Sequence, residues 1–233
     1  MGECVSETDY SSDYLKPLEA VLEPDRRNAG QLPEYLGGGQ RKIDSFHENI
    51  SQYGLIDLVP QDVRVQFETA KNLYLYSWFV YRFFNVADHL AYNTLEFGLR
   101  ELFKDCIPDK YKDRFGNTSL KKLLSYAVDF GYIENDDFEV HRRNTWQRAK
   151  SRYEFEKIQE MNEKELTEIS WDESEVEIRP EDHAEYLEIL LENLPFLRNK
   201  YAHGSGTLNP SVLGTFQLVS EILNSAYQRK AGL

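Results

Sequence analysis

Near the C-terminus the chain reads Arg198, Asn199, Lys200, Tyr201, Ala202, His203, followed at once by Gly204. Arg and His are the two side chains best suited to breaking a phosphodiester without a metal. The guanidinium is always charged and offers a planar fork of donors that matches two phosphate oxygens. Imidazole titrates near neutral pH and can take or give a proton. Asn199, a neutral amide beside the arginine, could orient either partner. A plainer reading stands beside this one. Cations at a helix end often do no more than complement its negative pole and cap its last carbonyls.

Spacing constrains the pair. On an ideal helix, residues five apart point about 140° away from each other, so Arg198 and His203 would not share a face. Asn199 and His203, four apart, would. A joint site therefore needs irregular backbone or a second chain. Pro195 and Gly204 stand where local distortion would be needed. A two-fold dimer would bring two copies of the motif to one cleft.

The elements that must hold these residues are helical. Pro60 and Asp62 sit where a helix would start, and Val63, Phe67, Ala70, Leu73 or Tyr74, Ser77 and Val80 follow at spacings of three and four. A second helix is expected from about 85 to 105, with Ala87, Leu90, Ala91, Leu95, Gly98, Leu99 and Leu102 as its apolar face. A third, starting near Ser119, buries Leu120, Leu123, Leu124, Ala127 and Phe130 and ends at Gly131. A helix starting after Pro180 has Glu181 and Asp182 at its positive end and buries Leu187, Leu190, Leu191, Leu194 and Leu197. Pro195 is expected to kink it. The last helix starts near Pro210 and buries Val212 or Leu213, Phe216, Val219, Leu223 and Ala226.

Two stretches differ. Residues 1–44 read as a partly extended N-terminal arm, with Pro17, Pro24, Pro33 and the triplet Gly37-Gly38-Gly39. The triplet lacks the Lys-Ser/Thr of a phosphate loop and reads as a connector. Residues 45–233 then form the helical domain, with a charged insertion at about 134–180. Within it, Val140–Tyr153 holds five bases and no acid, whereas Glu154–Glu192 holds fifteen acids and three bases. A long helix is expected over about 138–168, and 175–179 could be a short extended piece.

The chain has 233 residues, a formal net charge of −13 and two cysteines, Cys4 and Cys106, far apart. The length allows one domain with a sizeable core. The sparse cysteines argue against a disulfide framework or a zinc site and for a reducing compartment. No apolar run approaches the roughly 20 residues that span a bilayer, and the acidic, polar start does not read as a secretion signal. A cytoplasmic protein is expected, with no membrane, metal or cofactor. The negative charge opposes a general nucleic-acid coat, since phosphate affinity comes from Lys and Arg. Any RNA contact must be local.

Other side chains could carry chemistry. Arg142, Arg143, Trp146, Arg148, Lys150 and Arg152 combine bases with an aromatic, a mix that suits a stacked single strand. The alternative is a solvated helix face paired with the acid-rich segment beside it. Glu96 and Arg100 could reach a cleft and support His203, or form an intrahelical ion pair. Tyr201 lies within the motif itself. His47, His89 and His183 have no ligand partners at useful spacing, and His183 is expected to be exposed. No Ser or Cys has a local nucleophile motif.

Three passages together resemble the HEPN superfamily (higher eukaryotes and prokaryotes nucleotide-binding), over roughly residues 60 to 230. They are Leu95-Glu96-Phe97-Gly98-Leu99-Arg100-Glu101-Leu102-Phe103, the stretch Leu120 to Ile133, and Leu197-Arg198-Asn199-Lys200-Tyr201-Ala202-His203-Gly204. The resemblance implies an all-α, HEPN-like up-and-down helical bundle, here with an inserted long helix. It places Arg198, Asn199 and His203 on the functional positions. It implies a metal-independent endoribonuclease that leaves a 2′,3′-cyclic phosphate and serves as a toxin or phage-defence effector. The partners it implies are RNA, a second copy of the chain, and an antitoxin or defence-system protein. Inert members bind RNA, a nucleotide or a protein instead. Some toxins of this family carry a Tyr two residues after the His, which a partner enzyme modifies. This chain has Ser205 there, so that route of control is not expected.

Overall fold

The structure, a computed structural model, describes residues 13–28, 42–202 and 211–232. Seven α-helices are described: α1 Ile43–Ser51, α2 Gln61–Tyr76, α3 Phe83–Phe103, α4 Leu120–Asp129, α5 Glu139–Glu163, α6 Tyr186–Ala202 and α7 Leu213–Lys230. No strand occurs among the described residues. The protein is an all-α bundle.

The three-and-four spacing of the apolar residues explains the core. Val63, Phe67, Ala70 and Tyr74 line one face of α2, and all are buried. They meet Leu95 and Leu99 of α3 and Phe216, Val219 and Leu223 of α7 in a single cluster. Each such large apolar side chain contributes about 1.5–3 kcal/mol when fully buried. The Phe67 and Phe216 rings meet edge to face, with centroids 5.6 Å apart, a favoured aromatic geometry. α3 is the central element, packing against α2, α4, α6 and α7.

Gly98 lets α7 come close to α3. A Cβ there would stand 2.7 Å from Leu223 Cδ2 and 3.2 Å from Val63 Cγ1. At the same level the buried Tyr227 hydroxyl donates to the Gly98 carbonyl at 3.0 Å. Burial pushes the Tyr227 phenol up to about 12.

α5 is different in kind. It buries only His141, Thr145 and Ala149 along 25 residues, too narrow a stripe for a core helix. It is held at its start, where the Glu139 amide donates to Glu221 of α7 at 3.0 Å. Further along it is held by ion pairs to the segment before α6. Lys150 meets Glu173, Lys157 meets Glu175 at 3.3 Å, and Arg179 meets Glu156 at 2.7 Å. Arg152 reaches Asp182 at 2.8 Å.

Several expectations need correction. Phe130 is half-exposed at 53%, because α4 ends at Asp129 and Gly131 turns the chain with φ +67°. The helix expected after Pro180 starts only at Tyr186. Pro180–Asp182 forms a short 3-10 turn that stops at His183, whose φ −71° and ψ 141° are extended. The 175–179 stretch is extended at Val176 and Arg179, as expected, although it pairs in no strand and its first residue closes a 3-10 turn at Glu173–Glu175. Pro195 lies inside α6, as expected. Helix α1, absent from the sequence reading, covers Ile43–Ser51 and buries Phe46 and Ile50.

Part of the expected arm is folded. Residues 13–28 contain a 3-10 turn at Leu18–Ala20 and dock on the end of α2. Asn28, 1% exposed, donates through Nδ2 to the Ser77 carbonyl at 2.7 Å and the Trp78 carbonyl at 3.2 Å. Asp13 bridges Arg27 at 2.7 Å and Arg82 at 2.9 Å.

Candidate functional site

The Arg–His motif lies at the C-terminal end of α6. The sequence builds this helix from the leucines at 187, 190 and 194, all buried against the bundle, and α6 packs on α3 and α4. Its start is fixed from outside: the Leu187 amide donates to the Asn135 side chain at 2.9 Å, satisfying one of the donors a helix start leaves open. The helix backbone carries Arg198, Asn199 and Tyr201 in its last two turns. Their side chains, and all of His203, lie outside the described residues. α7 begins at Leu213 and returns across α3.

A helix C-terminus concentrates carbonyl oxygens and partial negative charge. Cations are favoured there, and an arginine keeps its full charge.

Glu96 and Arg100, one turn apart on α3, pair at 2.6 Å. Glu96 is the more enclosed, with 13% of its side chain exposed against 45% for Arg100.

The basic stretch of α5 is divided. Lys150 and Arg152 are held in the ion pairs given above, and Arg152 also donates to the Glu177 carbonyl at 2.7 Å. Arg142 is exposed and donates to the Asp136 carbonyl. Arg143 and Arg148 are exposed, and Trp146 is half-buried. The acid-rich segment thus lies against the basic one and neutralises two of its charges.

One constellation was invisible in the sequence. His183 has no ligand at useful spacing along the chain, yet the fold sets its ring against that of His141, with centroids 5.7 Å apart and planes inclined by 28°. Asp136 completes the group, which could hold a metal ion. No local signal joins residues so far apart in sequence; the hint is that both histidines lie in the charged stretches, His141 in Val140–Tyr153 and His183 in Glu154–Glu192.

No helix among the described residues is long and apolar enough to cross a membrane. No protein-family model matches the chain, and no curated protein or solved structure matches it.

Proposed function

We propose that this protein is a metal-independent endoribonuclease of HEPN type, acting as a toxin or phage-defence effector. The observation that carries the reading is the R-x-x-x-x-H motif at the end of a helix anchored in an all-α bundle. In this reading an RNA 2′-OH attacks its own phosphate. His203 takes the 2′-OH proton, Arg198 neutralises the crowded phosphorane, and Asn199 orients one of them. His203, now an imidazolium, gives that proton to the leaving 5′-oxygen, so that it serves as base and then as acid and leaves 2′,3′-cyclic phosphate and 5′-OH ends. Such proton transfer is typically worth about 10² to 10⁴ in rate. A homodimer would bring two motifs to one cleft and concentrate positive charge there on an otherwise acidic chain. The cytoplasm, and an antitoxin or defence-system partner, belong to the same reading.

Expression in a bacterial host tests it. Growth slows with the wild type and recovers with Arg198→Ala or His203→Ala, each expressed as folded protein at the wild-type level. Equal toxicity of the variants would refute the assignment.

A second reading draws on exposed Arg142, Arg143 and Arg148 beside Trp146. It is a catalytically inert module of the same kind, capturing RNA, a nucleotide or a protein through α5. In that case changes on α5 alter capture, and changes at Arg198 and His203 leave growth untouched.

A further inference from the structure

His141 stands in the first turn of α5 and is 2% exposed. Buried polar atoms in proteins nearly always have hydrogen-bond partners. Both nitrogens of this ring, Nδ1 and Nε2, are buried without one. Asp136 Oδ1 lies 3.3 Å from Nδ1, but not in hydrogen-bonding geometry. The His183 ring stacks on that of His141, with centroids 5.7 Å apart. One donor atom from each of Asp136, His141 and His183 falls within 4.8 Å of the other two. The Thr145 hydroxyl, one turn further on the same face of α5, is a second buried polar group without a partner.

We propose that Asp136, His141 and His183 bind a divalent transition-metal ion of the Zn²⁺ class. Two imidazoles and one carboxylate are the donor set that such borderline ions select. Mg²⁺ and Ca²⁺ prefer all-oxygen shells. With Zn–N and Zn–O bonds of about 2.0–2.2 Å, tetrahedral ligand atoms sit about 3.3–3.6 Å apart. From separations within 4.8 Å the three side chains therefore close in by up to about 1.5 Å, and Asp136 and His183 are exposed at the surface, where side chains can shift. Their exposure also gives the ion a way in. Three protein ligands leave the fourth position to water.

The ion would join three pieces: the 3-10 turn Asn135–Asp137, the first turn of α5, and the turn that leads into α6. It would close the whole charged segment into a loop at its base. Because this geometry exists only in the folded chain, binding stabilises the fold by mass action. The site is independent of the RNA-cleavage reading, since about 18 Å of α6 separates Tyr186 from Arg198.

The test uses the metal-free full-length protein with Zn²⁺, and in parallel with Co²⁺, whose visible absorption reports tetrahedral nitrogen and oxygen ligands. We expect one ion per chain, a raised melting temperature, and no such rise with Mg²⁺. His183→Ala and Asp136→Asn lie at exposed positions and keep the metal-free melting temperature. Each should weaken uptake by at least about a hundredfold, beyond the 10–100-fold typical of lost supporting contacts. Cys106→Ser and His203→Ala should keep it. No uptake by the wild type, uptake unchanged in both ligand variants, or uptake lost with Cys106→Ser would each overturn the proposal.

Discussion

Arg152 and Asp182 form a two-point ion pair, Nε to Oδ1 at 3.1 Å and Nη2 to Oδ2 at 2.8 Å, that fastens the middle of α5 to the turn before α6. Asp182 also accepts from the Arg179 amide at 2.8 Å and is 3% exposed. The Arg152 guanidinium, helped by that amide, holds the Asp182 carboxyl down to about 2.

A carboxylate held below its ordinary value stabilises the fold above that ordinary value and loses the contribution as pH falls through its folded one. For Asp182 the loss runs from about pH 4 to about pH 2. Arg152→Gln is therefore expected to lower the melting temperature at neutral pH and to flatten its acid dependence in that window. Calorimetry of both proteins across the range checks this. Parallel curves would show that the pair carries no linkage.

At the α3–α7 contact, Gly98→Val drives new methyl groups into Leu223 and Val63. The expected cost is about 1–3 kcal/mol. Leu223→Ala alone should cost about 2–5 kcal/mol through the cavity it leaves. The double variant should be less destabilised than the sum, because the valine fills part of that space. Urea denaturation of the four proteins measures the coupling.

Asn28→Ala removes the side-chain donor to two main-chain carbonyls at the end of α2. The expected loss is about 1–3 kcal/mol, the cost of leaving a buried acceptor unpaired. Hydrogen exchange should rise at residues 13–28 and at the end of α2. An unchanged melting curve would mean that the N-terminal segment contributes nothing to the fold.

The bundle was legible where burial follows one-dimensional spacing. Phe67, Leu95, Leu124 and Phe216 sit at regular intervals in apolar stripes, and each is buried as the pattern requires. Sequence reasoning failed where a tertiary partner competes with local preference. Asp182 looks like an acid at a helix start, but Arg152 draws it into a separate 3-10 turn, and α6 waits until Tyr186. Phe130 continues the α4 stripe in sequence, but the turn at Gly131 takes it out. The proximity of His141 and His183 depends on how the charged segment folds back on itself, which no period encodes. Arg198, Asn199 and His203 are assigned from residue type, spacing and the family resemblance, and their side chains lie outside the described residues.

On α5 the bases should separate into two groups. Lys150→Ala and Arg152→Ala remove ion pairs and are expected to act mainly on melting temperature. Arg143→Ala and Arg148→Ala, at exposed positions, should change stability by no more than about 0.5 kcal/mol. If RNA tracks this helix, each of the latter lowers the salt slope of RNA binding by about one. Binding isotherms at several salt concentrations give the answer. A slope unchanged in both exposed variants would take α5 out of the RNA path.

The most direct measurement is cleavage of total RNA by the purified protein with EDTA present, wild type beside His203→Ala. EDTA also strips any ion held by Asp136, His141 and His183, so the assay separates the RNA chemistry from that site. The account predicts wild-type fragments with 2′,3′-cyclic phosphate and 5′-OH ends, and a loss of at least about 10²-fold in the variant. Equal cleavage by both proteins, or none by a well-folded wild-type dimer, would contradict it.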